Sequence, residues 1–371
     1  MAEINGLKVL SYFDCPGGGQ VYVKGDYCYI AHMDAPHGTT IVDVSDPTNP
    51  RQVHHISIPK GVHSHKVRVE NDIMLVNWEC PPPYILDENF QGGLAIYDVK
   101  DPTNPKQIAF WKTAGTGVHR FDFDGRYAYI TPEVEGYHLN IMMILDLEDP
   151  ANPKEVGRWW MPGQWVAGGE TPDEGYRMTW CHQVLRRGNR LYVAYWHAGM
   201  AILDIEDMAK PKLISRLRYN PPFTHPTHTA LPMPFKVAGR DILLVADEDV
   251  RKTKPSPPPF LWLVDITEEE YPTIVSTYQI EGLQDVNMPE FTGCHQPAEQ
   301  VYGTEIPVAW FAYGLRVVDV KNPHAPKEVA SFVPDPPEGF DRPGTNDVFL
   351  TEAGLMYVID RNRGMHILQR A

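Results

Sequence analysis

The sequence lacks an apolar run that could cross a bilayer, since a transmembrane helix needs about 20 consecutive apolar residues. Its beginning, MAEINGLKVLSYFDC, has neither the basic start nor the continuous apolar core of a secretory signal. The five cysteines form no close pair and no even disulfide framework. Together these absences predict a protein without a membrane span in a reduced, cytoplasmic compartment.

Basic residues are also scarce. The chain has 33 lysines and arginines against 48 aspartates and glutamates, for a formal net charge of −15. Proteins that bind nucleic acid need a basic surface for the phosphates, and no glycine-rich phosphate loop is evident here. The sequence therefore predicts no nucleic-acid partner, and it leaves the oligomeric state open.

Turn-forming residues, by contrast, are abundant: 35 prolines and 29 glycines are spread along the whole chain. Such a distribution is typical of many short strands joined by turns. One phrase recurs, in which an apolar strand ends in aspartate and a turn rich in aspartate and proline leads to another strand. It reads TIVDVSDPTNPRQV around Asp43, and further copies follow around Asp98, Asp146, Asp204, Asp265 and Asp319.

Each phrase predicts a β-hairpin, because aspartate accepts hydrogen bonds from the turn backbone and proline fixes φ where no ladder N–H is needed. A second hairpin with alternating aromatics precedes each phrase, as in RFDFDGRYAYIT at 120–131. The copies therefore describe units of four short strands. Units of this length, repeated along a chain, are typical of the blades of a β-propeller.

The two ends of the chain predict how the ring closes. LKVLSYFDC (7–15) looks like the fourth strand of a blade, while about 346–369 supplies only three strands of a last blade. Joining them completes that blade and removes an open sheet edge. We predict an all-β fold, a single seven-bladed β-propeller domain over 1–371, closed by its N-terminal strand. The repeated phrases resemble those of the LVIVD-repeat propeller proteins over essentially the whole chain, which implies the fold but no particular activity.

A histidine precedes the innermost strand of five consecutive blades at nearly the same register. The five are His65, His119, His182, His228 and His295. Blade seven has Asn346 at this position, and blade one has Gly19 or Gln20. Equivalent residues of the inner strands converge on the propeller axis, so the pattern predicts a site for a divalent metal, Fe(II), Zn, Mn or Cu. A structural alternative is that each imidazole only bonds the backbone of the neighbouring blade.

The second strand of each blade is antiparallel to the first and ends at the same end of the channel. Three of these ends carry glutamates, namely Glu79, Glu133 and Glu248. A carboxylate beside a metal-bound imidazole usually accepts its second ring N–H. We predict that these glutamates orient the histidines or act as a general base on a bound water. His63 and His225 could line the same mouth, whereas Cys181 and Cys294 are predicted to be small buried fillers.

Several histidines backed by glutamates in a seven-bladed propeller are similar to the carotenoid cleavage oxygenases, which hold Fe(II) with four histidines. The pattern is also similar to the propellers of the selenium-binding, methanethiol oxidase type. This chain is shorter and offers five aligned histidines, so the resemblance is one of architecture and implies no substrate.

These observations predict a metal-dependent enzyme with a small-molecule substrate. An all-imidazole site favours a non-haem Fe(II) oxygenase acting on a small apolar or aromatic molecule, with a Zn- or Mn-dependent lyase or hydrolase as the second choice. The alternative from another class is a non-catalytic scaffold that binds partners through its faces. The long loops 161–178 and 250–260 could then form a lid or an interaction surface.

Overall fold

The computed structural model describes residues 2–173, 178–219, 223, 225–250, 258–281 and 291–371. Over these ranges the chain forms 29 strands and one short 3₁₀ turn, Val166–Gly168. The strands assemble into seven antiparallel sheets, which are the seven blades of a propeller. The predicted all-β, seven-bladed architecture is confirmed.

The first three blades follow one another along the chain. After β1 (Glu3–Asn5) and β2 (Leu7–Pro16), blade one comprises β3 (Gly18–Lys24), β4 (Tyr27–His32), β5 (His37–Asp43) and β6 (Arg51–Ser57). Blade two comprises β7 (Val67–Glu70), β8 (Ile73–Trp78), β9 (Gly93–Asp98) and β10 (Lys106–Lys112). Blade three comprises β11 (Val118–Phe123), β12 (Tyr127–Pro132), β13 (Met142–Asp146) and β14 (Lys154–Trp159).

The remaining four blades repeat the pattern. Blade four comprises β15 (Cys181–Arg187), β16 (Arg190–Tyr195), β17 (Gly199–Asp204) and β18 (Lys212–Leu217). Blade five comprises β19 (Thr227–Pro232), β20 (Ile242–Asp247), β21 (Leu261–Asp265) and β22 (Thr273–Tyr278). Blade six comprises β23 (Gln296–Pro297), β24 (Glu305–Ala309), β25 (Leu315–Asp319) and β26 (Lys327–Val333). Blade seven contains β27 (Thr345–Leu350), β28 (Met356–Asp360) and β29 (Arg363–Arg370).

The N-terminal segment supplies the missing strand of the last blade. β2 pairs antiparallel with β29, with Leu7 opposite Arg370, so blade seven has the order β2-β29-β28-β27. This closure was predicted. The sequence did not predict β1, which pairs with β26 and gives blade six a fifth strand. The first sixteen residues therefore bind to two neighbouring blades.

The repeated phrase forms the expected turn between the third and fourth strands of blades one to six. In blade one the Asp43 carboxylate accepts a hydrogen bond from the Ser45 N–H at 3.0 Å, and that of Asp46 accepts one from the Thr48 N–H at 2.9 Å. The same arrangement recurs at Asp98 with the N–H of Lys100. The aspartate at the strand end thus satisfies turn donors that no ladder strand can reach.

The apolar core lies between adjacent blades rather than in one central mass. One cluster combines Ile30 and Ile41 of blade one with Met74 of blade two and Ile359 of blade seven, all fully buried. The five cysteines are buried and free of disulfide bonds, as predicted for Cys181 and Cys294. None of the helical structure in the described ranges is long and apolar enough to cross a membrane.

We expect deletion of residues 1–16 to lower the melting temperature by more than about 10 °C, because it exposes the whole edge of β29 and removes the buried Leu7. Deletion of residues 1–5 is the control, since it removes only β1, and it should lower the melting temperature by less than about 3 °C. Calorimetry with size-exclusion chromatography measures both. Equal melting temperatures for the two deletions would contradict a stabilising role for the closure.

Candidate metal centre

The hydrogen-bond ladder of the inner strands is interrupted where those strands begin. The register shifts between Cys181 and Gln183 and between Thr227 and Thr229. Equivalent shifts occur in blades one, three and seven. A bulge leaves one residue unpaired and redirects its side chain. The residues at these bulges are the ones that the sequence alignment placed in the ring, including His182, His228, Gly19 and Asn346.

All five predicted ring histidines line one cavity of about 600 Å³ at the end of the channel where the inner strands begin. Each of them is at most 8% exposed. Neighbouring rings are in contact, with centroid distances of 5.0 Å for His65–His119, 4.6 Å for His119–His182, 4.4 Å for His182–His228 and 4.2 Å for His228–His295. They form a continuous arc over blades two to six.

His63 extends this arc, because its ring stacks on His65 at a centroid distance of 3.9 Å and lines the same cavity. His225 is buried but does not line the cavity. Among the described residues, two groups could each share a metal ion, because the ligand atoms within each group lie within 4.8 Å of one another: His63, His65 and Glu79 form the first, and His182, His228 and Glu248 the second. The Nε2 atoms of His119 and His182 lie 2.9 Å apart between these groups.

Backbone carbonyls determine where several of the histidines carry their proton. Nδ1 of His182 lies 2.8 Å from the carbonyl oxygen of His228, and a carbonyl only accepts hydrogen bonds. The proton of neutral His182 is therefore on Nδ1, and Nε2 keeps its lone pair. His295 donates in the same way to the carbonyl of Asn346, and His63 donates to that of Met33.

His65 has the opposite tautomer. The Asn77 amide is oriented by its own partners, since its oxygen accepts from the Lys66 N–H at 2.8 Å and its nitrogen donates to the Val118 carbonyl at 2.9 Å. That nitrogen lies 3.3 Å from Nδ1 of His65 and donates to it. The proton of neutral His65 is therefore on Nε2.

His228 differs again, because its Nε2 is already engaged. The guanidinium of Arg120 donates to this atom at 2.8 Å, while Nδ1 lies 2.6 Å from the Thr229 hydroxyl. A cation at Nε2 of His228 would have to displace Arg120. The five aligned histidines are thus not equivalent, and the difference comes from their neighbours.

The three predicted glutamates occupy different environments. Glu79 lies behind His119, with both carboxylate oxygens 2.9 Å from Nδ1, which is the predicted orienting contact. Glu248 instead lines the cavity, 3.9 Å from Nε2 of His228 and 3.8 Å from Nε2 of His295. Burial raises the pKa of Glu79 well above its usual value and raises that of Glu248 to about 7.

Glu133 is not brought to the cavity. Its carboxylate accepts hydrogen bonds from the Thr116 N–H at 2.7 Å and from the Thr116 hydroxyl at 2.8 Å. It therefore holds the loop that leads into blade three, and no contact with a ring histidine supports the role predicted for it.

Burial is the largest influence on the ionisation of the ring histidines. It lowers the pKa of all five well below the usual value, and nearby positive charge from Arg120 lowers each of them further. The imidazoles are consequently neutral at physiological pH, which is the form that binds metal ions.

A buried polar layer lies directly beneath the histidines and was missed in the sequence analysis. Its members immediately follow the ring positions: Gln20, Lys66, Arg120, Gln183, Thr229, Gln296 and Asp347. The Arg120 guanidinium donates to the side-chain oxygens of Gln183 at 3.2 Å and Gln296 at 2.7 Å. The alignment that revealed the histidines also contained this signal, as a polar residue one position later in each blade.

Aromatic side chains form part of the cavity wall. Trp180 and Trp196 line it, as does Tyr84 from a loop of blade two. Trp310 and Tyr195, also near strand ends, are fully buried in the core instead. Of the two long loops, 174–177 and 251–257 lie outside the described residues, while the flanking Met178 and Val250 line the cavity.

Comparison with known proteins agrees with the fold. LVIVD repeats match at residues 18–56, 183–218 and 301–333. A search of curated proteins found no match. Among solved structures, a hypothetical selenium-binding protein from Sulfolobus tokodaii aligns with a TM-score of 0.61 and 15% identity, covering 91% of this chain and 83% of that chain.

A second solved structure is a chain of the S. cerevisiae assembly of a Dbp5 variant with Nup159, a Gle1 variant, IP6 and ADP. It aligns with a TM-score of 0.59 and 10% identity, covering 98% of this chain and 95% of that chain. At these identities both structures establish the shared fold and nothing about activity.

We expect Glu248→Gln to stabilise the metal-free protein by up to about 3 kcal/mol above pH 7. Because burial raises the folded-state pKa of Glu248 from 4.5 to about 7, the cost of ionising it is absent below pH 4.5 and is complete above pH 7. Urea unfolding at several pH values measures this gain. Glu352→Gln, at an exposed position, is the control. A gain in unfolding free energy that stays the same between pH 4.5 and 8 would contradict the raised pKa of Glu248.

Proposed function

We propose that this protein is a metal-dependent enzyme that holds one divalent cation among the histidines at the propeller axis. The observation that supports this most strongly is the 2.9 Å separation of the Nε2 atoms of His119 and His182. Nδ1 of His182 donates to a carbonyl, and Nδ1 of His119 faces the Glu79 carboxylate. Burial favours the neutral form of Glu79, in which His119 Nε2–H donates to Nε2 of His182. When Glu79 is ionised, its carboxylate takes the His119 proton at Nδ1, and the two facing Nε2 lone pairs are then available to a shared cation.

The donor set fits a transition metal. His119 and His182 are the proposed central ligands, and His65, His228 and His295 flank them as candidates for the remaining positions. His228 can join only if Arg120 releases its Nε2. A cation bound to His119 would offset the cost of burying an ionised Glu79, and the carboxylate would in turn favour the bound cation.

An all-imidazole shell without thiolates favours Fe(II), which would supply reactivity with dioxygen. Zn or Mn would instead supply Lewis-acid chemistry for a lyase or hydrolase, and Cu is a further candidate. We favour a non-haem Fe(II) oxygenase acting on a small apolar or aromatic substrate. Glu248 has a pKa of about 7 and faces the cavity, so it is placed to accept a proton from substrate or water. Trp180 and Trp196 exclude water from one side.

The alternative from another class is a non-catalytic interaction scaffold. One of the structures that share this fold belongs to a multi-protein assembly, which is the observation favouring it. The other carries a name that refers to selenium binding, which is in keeping with a ligand site on such a propeller.

We expect protein produced with Fe(II), Zn, Mn or Cu to retain about one equivalent of one of these metals, and His119→Ala/His182→Ala to retain less than about a tenth of that. Elemental analysis by mass spectrometry after dialysis measures both. His324→Ala, exposed in an outer turn, is the control and should retain the full amount. Metal content below a tenth of an equivalent under every condition, or content that the double variant does not change, would favour the scaffold.

If iron is retained, the protein is loaded with Fe(II) under anaerobic conditions and then mixed with dioxygen. We expect it to consume dioxygen faster when an aromatic substrate is added, and we expect the Zn-loaded protein to consume none. An oxygen electrode measures the rate, with His119→Ala/His182→Ala as the inactive control. Equal consumption with and without every substrate tried would count against the oxygenase and leave the lyase or hydrolase as the candidate.

A further inference from the structure

The arc of histidines is interrupted at blades one and seven. A Cβ added to Gly19 of blade one would lie 2.5 Å from the Cβ of His65, so close packing excludes a side chain there. In blade seven the Asn346 amide donates to the Gly19 carbonyl at 2.6 Å and closes the gap. Neither blade offers an imidazole at its ring position, although His63 reaches the Met33 carbonyl of blade one. The same cavity is also lined by cationic side chains.

Arg361, which follows β28 in blade seven, lines the cavity with a guanidinium that lies 5.4 Å from the ring centres of both Phe291 and Phe311. Its backbone N–H is anchored to the Gly344 carbonyl at 2.8 Å. Within the described ranges no carboxylate lies within ion-pair distance of this guanidinium. The phenyl rings therefore orient it and leave its N–H donors available to a ligand.

Lys66 lies in the polar layer and also lines the cavity, with only 3% of its surface exposed. Burial and the nearby charge of Arg120 lower the pKa of Lys66 well below its usual value, and in the described part of the chain no carboxylate lies within 4 Å of its side-chain nitrogen. An anionic ligand beside it would favour its protonated form. Arg120 differs, since Gln183, Gln296 and His228 accept hydrogen bonds from its two terminal nitrogens. A charged group this deeply buried calls for an opposite charge nearby.

The wall across the cavity is aromatic, and its rings meet edge to face: the planes of Trp180 and Trp196 are inclined by 67°, and those of Tyr84 and Trp180 by 75°. The ring centres of Trp180 and Trp196 lie 5.0 Å apart, and that of Tyr84 lies 6.3 Å from Trp180. Trp180 is 4.6 Å from the His119 ring, and Trp196 is 4.5 Å from the His182 ring. A planar ligand on this wall would lie beside the two central histidines of the proposed metal site.

We propose that the substrate of this cavity is a small aromatic carboxylate. Its carboxylate is bound by Arg361 of blade seven and Lys66 of blade two, and its ring packs against the indoles of Trp180 and Trp196. The cavity volume of about 600 Å³ accommodates a molecule of this size. The inference deepens the proposed function by naming a substrate class, but binding of the acid does not itself require the metal.

The test is isothermal titration of trans-cinnamate and of its neutral isostere trans-cinnamamide into the full chain, as isolated and after chelation. We expect the acid to bind at least about tenfold more tightly than the amide, because charge-assisted hydrogen bonds form only with the carboxylate. Arg361→Gln should remove that preference by weakening cinnamate about tenfold and leaving the amide unchanged. Lys66→Met should also weaken cinnamate binding and leave cinnamamide binding unchanged.

Two controls isolate the charge effect. Arg51→Gln changes an exposed arginine that pairs with Asp43 far from the cavity, and it should leave both affinities unchanged. Arg361→Lys should restore part of the preference for the acid. Thermal melting establishes that each variant is folded, and should Arg361→Gln fail to fold, the affinity ratio in Lys66→Met decides instead.

Equal affinities of the unaltered protein for the acid and the amide would overturn the inference, as would no binding of cinnamate up to about 10 mM. Equal weakening of cinnamate and cinnamamide binding by Arg361→Gln would also overturn the inference. These outcomes are separate from the metal analysis. A protein that binds no metal but prefers the acid through Arg361 refutes only the metal enzyme, and one that binds metal without that preference refutes only the substrate class.

Discussion

The bulge at the start of the inner strands is the feature on which the functional part of the structure depends. In a regular strand, successive side chains point to opposite faces, so a histidine and the polar residue after it could not both approach the axis. The bulge redirects the unpaired residue, and His182 with Gln183 therefore contribute to two successive layers of the channel. The same shift in blades one, three, five and seven extends this arrangement to most of the ring.

The middle strands of the blades provide the stability that a polar axis requires. Apolar faces such as those of Ile30, Ile41 and Met74 pack between blades and provide the hydrophobic stabilisation, while the N-terminal strand removes the open edge of the last blade. The axis can then hold histidine, glutamate, lysine and arginine side chains, although burial disfavours the charged form of each. Such groups are costly in a core, and their concentration in one cavity with aromatic walls is the physical basis for proposing a reactive site there.

The hydrogen bonds around the ring divide positions that the repeat makes alike. His119 and His182 present facing Nε2 atoms, His65 carries its proton on Nε2, and His228 is held by Arg120. The glutamates divide in the same way, since Glu79 orients an imidazole, Glu248 faces the cavity and Glu133 holds a loop. A repeat sets where each backbone position lies, but the partner of each side chain comes from the neighbouring blade.

The number of blades, their closure by the N-terminal strand and the register of the five histidines could all be read from the sequence, because local turn chemistry and strand alternation repeat at each copy. The tautomers of those histidines, the polar layer and the separate roles of the glutamates were decided only by the tertiary structure. Arg120 reaches Gln296 across 176 positions of the chain, and the fifth strand of blade six joins residues 3–5 to 331–333. Contacts between residues so distant in sequence leave no local pattern, since they exist only once the ring has closed.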